Sequence, residues 1–231
     1  MMKDFDQIFQ CAVKRKGSES QLLSLLPPIK SSEQICSQTD DRILSIMTQC
    51  IFQAGFRWKV VDKKWPEFET VFKHFNPKIL EFLSAEDLEE LAKDTRIIRN
   101  MQKIVTVPKN AQWINEIADE HGSFAQFLYQ WPTSNAIELF KLFKNRGARL
   151  GGNTGQRVLR LAGIDSFILS TDVLLALSQA NIGFNRTRTR SGSAISMKDM
   201  KLIQSTFNIW HKETQLPYTH LSKILAYSYS M

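Results

Sequence analysis

The chain has 231 residues, of which 43% are hydrophobic and 23% are charged, and its formal net charge is +7. This length and apolar content are sufficient to bury a core without support from disulfides or a metal. The three cysteines, Cys11, Cys36 and Cys50, are odd in number and form no C-x-x-C pair. They therefore indicate neither a disulfide framework nor a zinc ribbon, and a reducing, cytoplasmic compartment fits best.

The N-terminal segment MMKDFDQIFQ carries acids where a signal peptide would be basic and then apolar. No uninterrupted apolar run approaches the roughly 20 residues that cross a bilayer. We therefore expect a protein that makes no contact with a membrane.

Apolar residues recur every three or four positions along most of the chain, which is the spacing of amphipathic α-helices. Ser84 precedes an acid-rich segment that ends at Leu91, and a hydroxyl followed by early acids predicts the start of a short helix. No strand-like alternation persists, so we predict an all-α fold of about a dozen helices. Helix breaks are expected near Gly55, Pro66, Pro77, Gly122, Pro132, Gly163 and Pro217, and in the stretches 147–155 and 183–192.

Positive charge is concentrated in residues 141–190, which hold nine Lys and Arg and only the two acids Asp165 and Asp172. This surplus equals the net charge of the whole chain, so the positive field is local, as expected of a surface that meets a polyanion. Three of these arginines lie in the segment 185–194, NRTRTRSGSA. That segment is either a solvated surface loop or an arm that pairs with phosphates.

A glycine-rich hairpin connects two helical stretches within this basic region. Close approach of a backbone to phosphate needs residues without a bulky side chain, and the N–H groups at a helix start supply donors with a partial positive charge. The candidate phosphate-binding residues are Arg149, Gly151, Gly152, Thr154 and Gly155. Glycines between helices can equally be a plain connection, and the density of arginine favours the phosphate-binding interpretation.

Asp172 follows the hairpin, in a cluster of Ser, Thr and Asp at the start of an apolar helix. Any of these three residue types can cap a helix by accepting hydrogen bonds from unpaired backbone N–H groups. The alternative is that Asp172 is an ionised carboxylate that stabilises a developing positive charge on a sugar or orients a water molecule.

The hairpin and the acid after it resemble the helix-hairpin-helix superfamily of DNA glycosylases, with Asp172 at the position of the catalytic aspartate. Residues 43 to about 131 also resemble 3-methyladenine DNA glycosylase I. The matching pieces are residues 51–58 (IFQAGFRW), Lys63, Lys64, Phe68, residues 96–100 (RIIRN), Lys103, Ile104 and residues 122–124 (GSF). Such enzymes excise alkylated purines from DNA and leave an abasic site.

The resemblance implies one glycosylase-like domain over residues 1–231, with two packed helical lobes and a cleft between them. Its parts would be an N-terminal segment 1–40 that matches poorly, a helical core 41–146, the hairpin and following helices 147–182, and C-terminal helices 195–231. Cys50, Gln53, Phe56 and Trp58 would form the base pocket and the wedge that fills the space left by the extruded nucleotide. Trp58 would be the aromatic wall, although a tryptophan here could also be an ordinary core residue.

The chain departs from the family in three ways. Cys50 stands where the family has its base-recognising glutamate, and a thiol cannot offer paired acceptor oxygens to an adenine edge. The family's zinc ligands near both chain ends have no counterpart, since no cysteine follows Cys50, so we expect no zinc and no cofactor. Glycosylase I enzymes generally lack the superfamily aspartate, whereas this chain has Asp172.

The expected function is therefore that of a DNA glycosylase on alkylated purines, acting as a monomer on damaged DNA in the cytoplasm and the nucleoid. Bifunctional relatives use a hairpin lysine as a nucleophile, and this chain has no lysine between Lys144 and Lys198. We expect base removal without strand cleavage. The alternatives are a non-catalytic DNA-binding protein on the same scaffold, which Cys50 favours, and a helical protein-interaction module.

Overall fold

The structure, a computed structural model, describes residues 4–184 and 195–229. Within these residues the regular secondary structure is entirely helical, so the all-α prediction is confirmed. The arginine-rich segment 185–194, which we expected to be a loop or a phosphate-binding arm, lies outside the described residues. In the described ranges, no helix is long and apolar enough to cross a membrane.

The described residues divide into two compact units. Of the described residues, the first unit contains 4–29, 132–138, 165–184 and 195–229, and the second contains 30–131 and 139–164. Fifteen α-helices are described, more than the dozen predicted, because several of them are only one or two turns long. In chain order they are α1 (Phe5–Lys16), α2 (Glu19–Ser24), α3 (Ser32–Cys36), α4 (Asp40–Gln53), α5 (Trp58–Val71), α6 (Pro77–Leu80), α7 (Ala85–Lys93), α8 (Met101–Ile104), α9 (Thr106–His121), α10 (Phe124–Gln130), α11 (Ala136–Arg146), α12 (Asn153–Ala162), α13 (Thr171–Gln179), α14 (Met197–Thr214) and α15 (Tyr218–Tyr229).

The first unit is built around α15, which packs against α1 and α13. Its core includes the stacked rings of Phe167 and Phe207, whose centroids are 4.3 Å apart. The carboxylate of Asp165 accepts hydrogen bonds from the backbone N–H groups of Tyr218 (3.1 Å) and Thr219 (2.8 Å). These N–H groups open α15 and have no partner within the helix, so Asp165 fixes the start of the central helix of this unit.

The second unit is built around α4, which packs against α5, α9 and α12. After α5 the chain makes a left-handed turn in which Lys73, His74 and Phe75 have φ of 49°, 53° and 57°. The turn carries the Phe75 ring into an aromatic stack, where it lies 5.5 Å from both Trp65 and Phe72 between centroids. Packing of these rings holds a backbone conformation that residues other than glycine rarely adopt.

The predicted helix break at Pro66 is wrong, because α5 runs through this proline from Trp58 to Val71. A proline inside a helix removes one backbone hydrogen bond and costs about 3 kcal/mol. The neighbouring side chains offset this cost. Trp65 stacks on Phe68 at 4.9 Å between centroids, and Phe68 is fully buried.

The predicted helix start at Ser84 is confirmed. The Ser84 hydroxyl accepts a hydrogen bond from the backbone N–H of Asp87, and the Asp87 carboxylate accepts one from the backbone N–H of Ser84. This reciprocal pair satisfies two N–H groups that the first turn of α7 leaves without partners.

Candidate functional site

The glycine hairpin ends in an uncapped helix start. Gly152 is the N-cap of α12, with φ 59° and ψ −141°, and it has no side chain to accept a hydrogen bond from the first turn. The first helical hydrogen bond runs from the N–H of Gln156 to the carbonyl oxygen of Gly152. The N–H groups of residues 153–155 therefore precede the hydrogen-bonded part of the helix, and together with the helix dipole they form an arrangement that attracts anions.

The hairpin is fixed from beneath by a buried amide that sequence analysis missed. Asn110, fully buried in α9, donates to the carbonyl oxygen of Ala148 (3.2 Å) and accepts from the N–H of Ala148 (2.8 Å). At the hairpin tip Arg149 has φ 60° and donates to Oε1 of Gln102 at 2.7 Å. The only sequence signal for Asn110 is a polar residue on the apolar face of a helix.

The hairpin glycines meet different surroundings. A Cβ atom at Gly155 would lie 2.2 Å from the carbonyl oxygen of Leu150, so this buried glycine allows α12 to pack on the hairpin backbone. A Cβ at Gly152 would meet nothing within 4 Å, and Gly152 is exposed. Gly151 and Thr154 are half-buried. Among the predicted glycines, Gly152 is thus the one that offers open space above the helix start.

An aromatic pocket of about 520 Å³ lies where α4 ends and α5 begins. Its lining includes Gln53, Phe56 and Trp58, three of the four residues predicted for the base pocket and wedge. Trp58 is 53% exposed and Phe56 is 46% exposed. Trp58 is therefore a surface aromatic and not the core tryptophan that was its alternative interpretation.

Cys50, the fourth predicted pocket residue, is buried in α4 with 1% exposure. Burial raises the pKa of its thiol to about 11, although the positive charge of Arg157 acts in the opposite direction. The thiol is consequently neutral at pH 7, so this position supplies no negative charge to the pocket.

Gln53 connects the pocket to α12 through both ends of its amide. Its Nε2 donates to Oδ1 of Asp62 at 2.7 Å, and its Oε1 accepts from the guanidinium of Arg157 at 2.9 Å. The same guanidinium lies over the Trp58 ring, with Cζ 3.8 Å from the ring centroid. In sequence, Arg157 is only one member of a basic cluster, since nothing in the spacing indicates contact with residues a hundred positions earlier.

Lys103 holds the end of α4, next to the pocket. It is a largely buried lysine whose ammonium donates to the carbonyl oxygens of Phe52 (3.0 Å) and Ala54 (2.8 Å). Burial and the nearby charge of Arg149 lower the pKa of this lysine. Because the last carbonyls of a helix lack partners within it, Lys103 stabilises the turn that presents Phe56 and Trp58.

Asp172 lies in the first unit, at the second residue of α13. Ser170 caps this helix, since its hydroxyl accepts from the N–H of Val173 at 3.3 Å. Asp172 is exposed and does not perform the capping that was its alternative role. Its catalytic role stays a prediction.

Across the described ranges, no group of three or more His, Cys, Asp or Glu side chains is arranged to hold a metal ion.

Comparison with known proteins bears on the second unit most directly. The profile of the methyladenine glycosylase family matches residues 34–146. Over these residues the chain resembles the methyladenine glycosylases, and we call residues 34–146 the glycosylase I-like region. A curated relative, DNA-3-methyladenine glycosylase 1 of Escherichia coli (strain K12), is 28% identical over 120 residues, which cover 44% of this chain and 64% of the relative. The chain therefore spans less than two thirds of that relative's length.

Similar solved structures include a 3-methyladenine DNA glycosylase I at 27% identity, with a TM-score of 0.47 and coverage of 55% of this chain and 81% of that one. The enzyme from Staphylococcus aureus is 23% identical, with a TM-score of 0.48 and coverage of 55% and 77%. An 8-oxoguanine glycosylase/lyase from Methanocaldococcus jannaschii, solved with DNA, is 15% identical, with a TM-score of 0.56 and coverage of 96% of both chains. This last likeness shows that the two chains share a fold.

The glycosylase I-like region is longer than the segment 43–131 that carried the resemblance in sequence. It contains the aromatic pocket, Cys50 and Lys103, and it ends at Arg146, before the hairpin. Arg157 and the uncapped start of α12 thus lie beyond the region that the family profile matches.

Proposed function

We propose that the chain is a monofunctional DNA glycosylase that hydrolyses the N-glycosidic bond of alkylated purines in base excision repair. The observation that carries this proposal is the exposed Trp58 pocket within a glycosylase I-like region. An enzyme that cuts the bond between base and sugar must take the nucleotide out of the duplex, at a cost of a few kcal/mol. An exposed aromatic wall gives the extruded base a surface on which to stack.

The hairpin is the proposed grip on the DNA backbone. The N–H groups at the start of α12 point away from the helix and can donate to phosphate oxygens, with Gly152 leaving room for a close approach. Gly151, Thr154 and Gly155 supply backbone, and Arg149 supplies a positive charge. Phosphate contacts of this kind position a protein on DNA without reading its sequence.

Phe56 is the proposed wedge. It is 46% exposed at the rim of the pocket, whereas Gln53 is 6% exposed and engaged at both ends of its amide. An apolar wedge compensates for the stacking that the duplex loses when one base leaves it.

Asp172 is the proposed catalytic residue. Alkylation at N3 or N7 gives the purine a positive charge and makes it a good leaving group, so a strong general acid is unnecessary. An ionised aspartate opposes the positive charge that develops on the sugar, and loss of such an electrostatic partner typically lowers the rate about 10²–10³-fold. The hairpin offers no lysine for a Schiff base, which supports base removal without strand cleavage.

The decisive experiment incubates methylated genomic DNA with the full chain and identifies every base released. We expect free alkylated purines, with release slowed about 10²–10³-fold in Asp172→Asn under single-turnover conditions while DNA binding is retained. Lys93→Gln, on the surface of α7, is the control for an altered charge. Wild-type rates in Asp172→Asn would remove this aspartate from the mechanism.

Two further measurements separate this function from its rivals. A non-catalytic binder would shift methylated DNA in a gel and release no base. A protein-interaction module would lack DNA binding that weakens steeply with added salt, which is expected when lysines and arginines displace phosphate counterions. A covalent complex with abasic DNA, trapped by borohydride, would contradict the monofunctional assignment.

A further inference from the structure

Arg157 places a fixed guanidinium at the aromatic wall of the pocket. Its Cζ lies 3.8 Å from the centroid of the Trp58 ring, so a planar cation already covers a face of this tryptophan. Arg157 belongs to α12, and its side chain is half-buried. A base that stacks on the same face of Trp58 must therefore move the guanidinium of Arg157 aside, which brings the guanidinium to the edge of the base.

The position of this guanidinium is set by a hydrogen bond to Gln53, which is itself held by Asp62. Arg157 donates to Oε1 of Gln53, and the Nε2 of Gln53 donates to Asp62, which also accepts from Gln49 at 3.1 Å. Because the Gln53 amide is engaged at both ends, its oxygen is held toward Arg157. Within the described part of the chain the guanidinium donates this one hydrogen bond, so most of its five donors remain available to a ligand.

A guanidinium donates hydrogen bonds and accepts none. Adenine presents an amino group at C6, which is also a donor, whereas guanine presents the acceptor oxygen O6 there, and a good arginine–guanine pair discriminates strongly against the wrong base. Cys50 adds no negative charge to balance this cation, because its thiol is neutral. By the family resemblance, this thiol replaces a negatively charged glutamate. The guanidinium of Arg157, which only donates, and the neutral thiol of Cys50 both disfavour a positively charged 6-aminopurine.

Resting on the proposed glycosylase function, we propose that Arg157 is a specificity-determining residue that selects purines with a carbonyl at C6 over purines with an amino group there. Lesions of guanine type and deaminated adenine carry this carbonyl. Trp58 holds the base by stacking, Gln53 and Asp62 position the guanidinium, and Arg157 reads the C6 substituent.

The test compares three lesions that separate the C6 group from the charge of the base. Hypoxanthine is neutral with a C6 carbonyl, 7-methylguanine is cationic with a C6 carbonyl, and 3-methyladenine is cationic with a C6 amino group. Single-turnover release of each is measured for the wild-type chain, for Arg157→Met, which keeps an apolar stem, and for the surface control Lys93→Gln. Comparing each variant with wild type on one lesion removes differences in the intrinsic lability of the bases.

We expect Arg157→Met to slow release of hypoxanthine, which offers both O6 and N7 as acceptors, about 10-fold or more. Release of 7-methylguanine, whose methylated N7 accepts no hydrogen bond, should slow by a smaller factor, and release of 3-methyladenine should be unchanged or faster. Arg157→Lys, which keeps the charge without the planar fork, should rescue little of the loss. Equal effects on all three lesions, or slower release of 3-methyladenine alone, would overturn the selection by the C6 group.

Failure of the proposed function gives a different pattern, in which the wild-type chain releases no base at all. Calorimetric titration with free hypoxanthine and free adenine then decides the inference independently of excision. The inference stands if hypoxanthine binds more tightly and if Arg157→Met abolishes the difference. Equal affinity for the two bases in the wild-type chain would overturn it.

Discussion

Replacing Gly155 with alanine should destabilise the protein, although alanine is the better helix former. The added Cβ would lie 2.2 Å from the carbonyl oxygen of Leu150 and 3.2–3.3 Å from two carbons of Phe143. Relief requires a displacement of about 1 Å, and the obstructing atom is backbone that cannot rotate away. Overpacking of this kind costs about 1–3 kcal/mol.

Because the obstructing atom is backbone, the cost lies in the upper part of this range, at about 2–3 kcal/mol. The helix preference of alanine over glycine returns about 1 kcal/mol. The net loss is then about 1–2 kcal/mol, and for a chain of this size each kcal/mol lowers the Tm by about 2–4 °C. Thermal unfolding followed by circular dichroism should therefore show Gly155→Ala melting about 2–8 °C below the wild type.

Gly151→Ala is the matched control in the same hairpin. A Cβ there would meet the flexible Lys144 side chain, with Cγ at 3.3 Å, and Gly151 has no positive φ. Its Tm should equal or exceed that of the wild type, because alanine restricts the unfolded chain. A Tm for Gly155→Ala at or above the wild-type value would refute the argument from close packing.

Three other substitutions give distinct readouts. Glu69→Gln should lower stability by about 1–2 kcal/mol at pH 7, a modest cost because Arg42 is partly solvated. Burial raises the pKa of Glu69, but hydrogen bonds from Arg42 and Ser45 outweigh burial and lower the pKa overall. In urea unfolding, the extra stability of the wild type over Glu69→Gln should therefore be full above about pH 4.5. This extra stability should vanish as pH falls through the lowered pKa. Lys103→Met leaves the carbonyls of two residues without their donor and should cost about 1–3 kcal/mol by the same assay; an unchanged midpoint would show that water replaces the ammonium. Trp58→Ala, exposed and outside the core, should lower the Tm by at most about 1–4 °C, because it loses the cation–π contact with Arg157. It should lose at least about 10-fold in single-turnover excision, and unaltered excision would exclude Trp58 as the stacking wall.

The sequence predicted those features that depend on local chemistry. Ser84 caps its helix because the capping residues lie three positions apart, and Gly152 begins α12 because the hairpin needs a residue that tolerates positive φ. The aromatic pocket was predicted through family resemblance, which preserves the order of residues 51–58.

Features that depend on tertiary packing were not predictable. Pro66 is a helix breaker by its own chemistry, and only the ring packing around it explains why α5 continues. Arg157 and Asn110 act on residues far away in the chain, and no periodicity in one sequence reports such a pairing. The pocket residues that are neighbours in sequence could be predicted from a motif, but the positive charge of Arg157 beside them could not.

The left-handed turn at Lys73, His74 and Phe75 has a consequence for how substitutions combine. Each residue in this conformation costs about 1–2 kcal/mol, or roughly 3–6 kcal/mol for the three. The rings of Trp65, Phe72 and Phe75 and the hydrogen bond from Arg42 to the carbonyl of His74 oppose that strain. Removing a ring leaves a void and also lets the backbone relax to an ordinary conformation. The free-energy effects of changes in the turn and in the stack are therefore coupled, and their sum will not equal the effect of the double change.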